Sequence, residues 1–479
     1  MSRQTKIVAT LGPATTDEDA LRGIVDAGVD VVRMNLSHGD HDEHRAREQT
    51  LRRTARDAGR VVGMLCDLQG PKIRVERFAG GSVELDEGAA FFLDPALDGD
   101  AGSVEGVGVA YAGLPTDVAP GDILLLADGL IRLEVERIEG TRIHTRVTVG
   151  GTLGDRKGIR LGGGLSVRAL TDKDRVDIKL AAELEADYMA VSFPRDGADI
   201  DEARALLREA GGHGGIVAKI ERHEAVEALD EIMEAADAVM IARGDLAVEI
   251  GDAELPGVQK RIMRMARERD CVVITATQMM QSMVDSPMPT RAEVLDVANA
   301  VLDGTDAVML SEETAMGQYP AETVGAMSRV CIGAETYADE SRPSAGLKPG
   351  VHFERIDEAI AKTAITTANS LGAKAIAALT ESGATAMWMS RIGTDIPIYA
   401  LSEQPRTRRK VTLYRGVNPI RFDPTQREHD AVNREAVAEL KGLGAVGDDD
   451  LVVITKGDLA GEQGGTNAMK VVKVSEIVR

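Results

Sequence analysis

Residues 235–245 read AADAVMIARGD. A small residue, an aspartate, a short unbroken apolar run and a polar end follow one another. The same phrase recurs as DAGVDVVRMNLSHG at 26–39, EADYMAVSF at 185–193 and GTDAVMLSEET at 304–314. Apolar runs this short and continuous fit strands buried on both faces, as in a parallel sheet. The helical patterns between them make βαβ units. TKIVAT at 5, RVVGMLCD at 60, GIVAKIE at 215 and CVVITATQ at 271 bring the candidates to eight. Eight parallel strands with crossover helices predict an α/β fold, a closed (β/α)8 barrel of the TIM-barrel type.

The chain of 479 residues has room for about three domains. Barrel texture covers 1–70 and 168–340. Between them, at 71–167, glycines, aspartates and short alternating segments such as GDILLLADGLIRLEVERIEGTRIHTRVTVGG predict an inserted all-β domain, a small β-barrel. SRPSAGLKPG at 341–350 reads as a linker. The remainder, 341–479, alternates helices with the strands AIAALT, PIYALS and LVVITKG, and predicts a C-terminal α/β domain.

Composition narrows the function classes. The formal net charge is −22, with acidic residues spread along the chain. Nucleic-acid binding needs a basic footprint and is not expected. No apolar run reaches a membrane span, and the N-terminal stretch lacks a signal-peptide core, so the expectation is a cytoplasmic protein. Cys66, Cys271 and Cys331 fit neither a disulfide framework nor a zinc site, and read as buried thiols. The acidity, with arginine favoured over lysine, points to a halophile, with a halophilic archaeon as the expected source; an ordinary acidic cytosolic protein is the alternative.

GIVAKIE poses the functional question, because a buried strand there ends in Lys219 and Glu221. Their i, i+2 spacing points both to one side. In a (β/α)8 barrel, chemistry sits at the C-terminal strand ends. Arg33, Asn35, Ser37, Asp67, Ser192, Arg243, Asp245, Thr277, Ser311 and Glu313 fall at the other ends. Lys219 and Glu221 could simply pair with each other. The other ionic ends favour a site instead. Glu221 and Asp245 are hard oxygen ligands suited to Mg²⁺ or Mn²⁺. Carboxylates, cations and a divalent metal together suit phosphoryl transfer. In ARGD, Gly244 lets a ligand approach the backbone closely, and a helix starting there would offer N–H groups to an anion.

TKIVATLGPAT, RMNLSHG, DLQGPKIR, AKIER, ARGDLAVEI, ATQMMQSM, PTRAEVLDVANAVLDGTDAVMLSEETAMGQYP and LYRGVNP closely resemble, in order, the landmarks of the pyruvate kinase family. The resemblance spans nearly the whole chain. It implies a barrel, an inserted β lid after the third strand and a C-terminal α/β domain, with transfer of the phosphoryl group of phosphoenolpyruvate to ADP, giving pyruvate and ATP. It further implies that Glu221 and Asp245 hold the Mg²⁺ (or Mn²⁺), that Lys219 stabilises the transferring phosphoryl group and that Arg33 contacts the phosphate. Gly244, Asp245 and Thr277 would hold the substrate carboxylate, and Thr277 is a candidate proton relay. Asn35, His38, Arg74 and Lys157 match nucleotide-contacting positions.

One departure from the family pattern carries a prediction. The K⁺ site of many members corresponds to Asn35, Ser37, Asp67 and the carbonyl of Leu68. K⁺-dependent members usually carry glutamate where this chain has Lys72, and a hydroxyl residue where it has Leu68. An ammonium at Lys72 could supply the field of the cation, so K⁺ is expected not to be required. TESGATA at 380–386 sits where members place a phosphate-binding effector loop, but an ordinary strand-to-helix turn is the preferred reading. The resemblance implies a homotetramer, through surfaces that include the PTRAE helix. Another Mg²⁺-dependent barrel enzyme acting on pyruvate or phosphoenolpyruvate would not need Arg74 and Lys157 near a lid. A non-catalytic relative would have lost the lysine or a metal carboxylate.

Overall fold

A computed structural model of the chain describes residues 3–127, 129–161, 168–341, 352–424, 429–458 and 464–478. The expected linker at 341–350 lies, but for its first residue, outside them. The eight expected strands close a parallel barrel: Lys6–Leu11, Val31–Asn35, Gly63–Asp67, Tyr188–Val191, Gly215–Ile220, Ala238–Ala242, Val272–Ala276 and Ala307–Leu310. The first strand pairs with both the second and the eighth.

The fifth strand shows how one sequence serves two layers. Ile216, Ala218 and Ile220 pack outward among the helices. Val217 joins the apolar filling of the lumen. Lys219 continues the Val217 face upward and Glu221 follows it, so the charges arrive at the mouth and not among the helices.

The recurrent aspartate has a role at the opposite end. Asp30, Asp187, Asp237 and Asp306 stand just before the second, fourth, sixth and eighth strands. Each carboxylate accepts the backbone N–H of the preceding strand: Ile7 at 2.8 Å, Met64 at 2.9 Å, Ile216 at 2.9 Å and Val273 at 2.8 Å. The barrel alternates in its strands, and so does this clamp. Each also meets a cation. Arg3 pairs with Asp30 (2.7 Å), Arg409 with Asp187 (2.9 Å) and Lys410 with Asp237 (3.5 Å). Arg391 binds Asp306 through both terminal guanidinium nitrogens, one at 2.8 Å. Burial works against ionisation at Asp30, Asp187 and Asp237. At Asp30 and Asp237 the cations win and the carboxyl lies below its usual range. At Asp187 burial wins and the carboxyl lies above it.

Arg391, Arg409 and Lys410 belong to the C-terminal domain, so the barrel floor is also its docking surface. The lumen core runs on through Tyr188 into Ile365, Met389 and Leu413, and the Tyr188 hydroxyl donates to the Lys410 carbonyl at 2.7 Å. The C-terminal sheet runs Val417–Arg421, Ile398–Ser402, Ala375–Leu379, Leu451–Gly457, Thr466–Lys473, with the last strand antiparallel. Two of its strands carry weak sequence signals. Val417–Arg421 contains Pro419, which an edge strand tolerates, and Thr466–Lys473 is an amphipathic edge.

The insertion has its own core, including Val75, Phe91, Leu124, Leu133 and Ile143. Its strands form a six-stranded sheet and a two-stranded pair, Ser82–Leu85 with Gly151–Gly154. In Ile131–Glu139, buried Ile131, Leu133 and Val135 alternate with exposed Arg132, Glu134 and Glu136, the period of a one-sided strand. A single helical turn, Leu114–Asp117, interrupts the β texture.

Candidate active site

The ends of the second to fifth strands meet in one ionic network. Lys219 Nζ lies 3.0 Å from Glu221 Oε1 and 3.3 Å from Asp67 Oδ1. It also donates to Ser192 Oγ at 2.7 Å, and that hydroxyl donates onward to the Leu68 carbonyl at 2.7 Å. Arg33 Nε donates to the other Asp67 oxygen at 2.7 Å and its NH1 to Thr10 Oγ1 at 3.1 Å. Burial opposes the charge on both Asp67 and Lys219. Lys219 and Arg33 nevertheless hold Asp67 below the usual carboxylate range. Asp67 and Glu221 likewise hold Lys219 above the usual lysine value. Both stay ionised at neutral pH.

Glu221 Oε2 accepts the Phe193 N–H at 2.9 Å. Phe193 has φ +55°, uncommon for an aromatic residue. Ser192 thus sits between the lysine and a strained turn. The sequence placed Ser192 at a strand end but gave it no role; its position after an unbroken apolar run was the available signal.

A second group joins the sixth and seventh strands. The helix Arg243–Ile250 begins directly at the sixth strand end, leaving its first N–H groups without intrahelical acceptors. The Gly244 N–H donates to Thr277 Oγ1 at 2.8 Å, and that hydroxyl donates to the Ala276 carbonyl at 2.6 Å. Thr277 and Gln278 both have positive φ, +70° and +53°, a costly backbone that persists only when its surroundings hold it. Arg243 does so. Its guanidinium donates to the carbonyls of Ala276 (3.2 Å) and Thr277 (2.7 Å) and pairs with Asp296 at 2.8 Å. Arg243 is buried, so it buttresses the turn and is not an open cation at the mouth. Glu313 is likewise internal, accepting from Met280 N (3.1 Å) and Ser311 N (2.6 Å). A Cβ on Gly244 would meet only ordinary contacts, the nearest 3.7 Å away at Thr277 Oγ1. Packing inside the chain therefore does not demand this glycine, and space beside it is left for a ligand.

Asp245 meets Lys72, on the outgoing connection to the insertion, at 3.7 Å. Asn35 Oδ1 accepts the Ser37 N–H at 3.1 Å. His38 titrates below its usual value, through burial and then the charges of Arg74, Arg33, Lys72 and Lys173. It is neutral at pH 7, and cations from barrel and insertion surround it. Arg74 NH1 donates to the Arg156 carbonyl at 2.8 Å, and Lys157 is exposed. Among the described residues, no side-chain hydrogen bond or ion pair ties Lys157 to the mouth. Thr380 and Thr385, in the C-terminal loop, are already engaged: Thr380 Oγ1 accepts the Gly383 N–H at 3.0 Å, and Thr385 shares a 2.8 Å bond with Thr466.

Glu221 and Asp245 are both hard oxygen donors. Among the described residues, no group of three or more His, Cys, Asp or Glu side chains could hold a metal. Two carboxylates still fit Mg²⁺, which commonly takes one or two and completes its shell with water and substrate oxygens.

Family models for the pyruvate kinase barrel domain and the pyruvate kinase alpha/beta domain match residues 2–324 and 358–472. Pyruvate kinase II of Salmonella typhimurium is 52% identical over 98% of this chain and 99% of its own. The pyruvate kinase of Haemophilus influenzae is 50% identical over 95% of this chain and 96% of its own. The crystal structure of a pyruvate kinase from Cryptosporidium parvum superposes with a TM-score of 0.89 at 34% identity, covering 98% of this chain and 96% of that one. The chain therefore belongs to the pyruvate kinase family, and it is an enzyme, a phosphotransferase.

Proposed function

We propose that the barrel mouth transfers the phosphoryl group of phosphoenolpyruvate to ADP, releasing pyruvate and ATP. The observation that carries this reading is Lys219, a buried, permanently charged ammonium between Asp67 and Glu221 at the end of an apolar strand. There it would bind oxygens of the transferring phosphoryl group, where charge builds during transfer. Arg33, oriented by Asp67 and Thr10, would take the phosphate from the other side. The N–H groups of Gly244 and Asp245, with the Thr277 hydroxyl, would receive the substrate carboxylate in the space beside Gly244. The Thr277 hydroxyl can also pass a proton to the enolate carbon. Asn35, neutral His38, Arg74 and Lys157 would contact the nucleotide, the last two carried in by closure of the insertion as a lid. Glu221 and Asp245 would hold a divalent metal, Mg²⁺ or Mn²⁺, which when bound neutralises charge on phosphoryl and enolate oxygens.

Lys72 supports a reaction without K⁺. The oxygens of the family's K⁺ site are partly engaged here, Asn35 with Ser37, Leu68 with Ser192 and Asp67 with two cations. The Lys72 ammonium, 3.7 Å from Asp245, would supply positive charge at the same mouth. The net charge of −22 supports work in concentrated salt, which screens repulsion of anionic substrates. Exposed Leu295 on the helix Arg291–Asp303, and Met288 just before it, support assembly into a homotetramer. No described helix is long and apolar enough to cross a membrane, and glycolytic substrates favour the cytoplasm. The test is ATP formation from phosphoenolpyruvate, ADP and Mg²⁺ in NaCl, KCl or an inert organic salt. Activity in all three is expected. Activity only in KCl removes the Lys72 reading, and none in any, from folded protein, removes the site assignment.

A further inference from the structure

Asp174 lies in the first turn of the helix Asp172–Glu183, where the chain re-enters the barrel after the insertion. It is completely buried, and its hydrogen bonds come from neutral donors. Oδ2 accepts from the Thr171 N–H at 2.9 Å and the Thr171 hydroxyl at 2.6 Å. Those bonds belong to an ordinary capping box. Oδ1 does something a capping box does not require. It accepts the N–H of Gly70 at 3.1 Å, from the opposite connection, 104 residues earlier. One buried carboxylate therefore ties the outgoing and incoming connections of the insertion together.

The outgoing side is tightly defined. Gly70 has φ +66°, and a Cβ there would lie 2.7 Å from Ser192 Cβ and 2.9 Å from the Ser192 carbonyl oxygen. Ser192 is the hydroxyl that Lys219 engages. Two residues beyond Gly70, Lys72 faces Asp245, and then Arg74 enters the insertion. The same helix reaches the nucleotide-side loop, where Lys173 Nζ donates to the Leu36 carbonyl at 2.6 Å and pairs with Asp177 at 2.5 Å.

We propose that Asp174 is a positioning residue: it fixes the two connections of the insertion against each other, so that the lid closes about a set axis and Arg74 and Lys157 arrive over the diphosphate. The proposal rests on the lid reading above. Losing the clamp loosens the approach of the lid while leaving in place the Gly244–Thr277 group, built on the sixth and seventh strands, and the Lys219–Asp67–Arg33 network, which has its own ion pairs.

The test is steady-state kinetics of the full-length enzyme with Mg²⁺, varying each substrate. Asp174→Ala is expected to raise KM for ADP about ten-fold and to leave KM for phosphoenolpyruvate within about two-fold. Asp174→Asn, which keeps one acceptor for Gly70, should shift KM for ADP in the same direction by less. Asp172→Asn, exposed in the same turn, should change neither. An unchanged KM for ADP, or equal rises for both substrates, overturns the clamp. If Asp174→Ala does not fold, Asp174→Asn decides by the same criterion. Arg74→Ala and Lys157→Ala separate the two ideas. If they raise KM for ADP and the Asp174 variants do not, the clamp alone fails; if they leave it unchanged, the lid reading fails.

Discussion

The two ends of the barrel are built from the same materials, carboxylates beside arginines and lysines, and use them differently. At the floor every strand-leading aspartate closes on a backbone N–H and a cation, three of the cations coming from the C-terminal domain. At the mouth, Lys219 is held by Asp67, Glu221 and Ser192, Arg33 by Asp67 and Thr10, and the Gly244 N–H by Thr277, all of them groups of the barrel's own strand ends. Buried ion pairs are not automatically stabilising, because desolvation can offset their attraction, but breaking one leaves a charge stranded. Both ends should lose stability when a cation is removed. Only the mouth should lose turnover per folded molecule.

Three experiments probe that contrast. The largest expected effect is at the floor: Arg391→Ala strands Asp306 and should cost about 3–5 kcal/mol in denaturant unfolding, with kcat per folded molecule nearly unchanged. A loss of kcat in the folded fraction would make the floor part of the chemistry. The next concerns pH. Asp67 has a folded pKa below its unfolded value of about 3.9, so its contribution is present above that value and lost as pH falls through the folded one. The stability advantage of wild type over Asp67→Asn should therefore hold constant near neutrality and shrink below about pH 4. An advantage that grows on acidification would reverse the assignment. The smallest is Lys72→Glu, which should lower activity in K⁺-free organic salt by about an order of magnitude and regain it with KCl. Equal activity in both salts would leave Lys72 without an electrostatic role.

Much of this was legible in the sequence because the barrel writes its periodicity plainly. Unbroken apolar runs ending in polar residues gave all eight strands, and i, i+2 spacing placed Lys219 and Glu221 on one face. The recurrent aspartate was visible as punctuation, but its purpose was not, since its N–H donor and most of its cations come from distant segments. The same holds for Arg243, Ser192 and Asp174. Nothing local distinguishes an arginine that buttresses a strained turn from one facing a ligand, or a capping-box aspartate from one reaching across the insertion. The two edge strands of the C-terminal sheet were hidden for another reason: they bury too little of one face to print a clear pattern. The bacterial relatives named above offer no sign of an archaeal source, which rests on the acidic composition alone.

The most direct test of the central claim is kcat for ATP formation by Lys219→Ala, normalised to folded protein and measured beside Arg391→Ala. The expected result is a fall of roughly three or more orders of magnitude for Lys219→Ala and little change for Arg391→Ala. Turnover within about ten-fold of wild type for folded Lys219→Ala would contradict the assignment of Lys219 to the phosphoryl group.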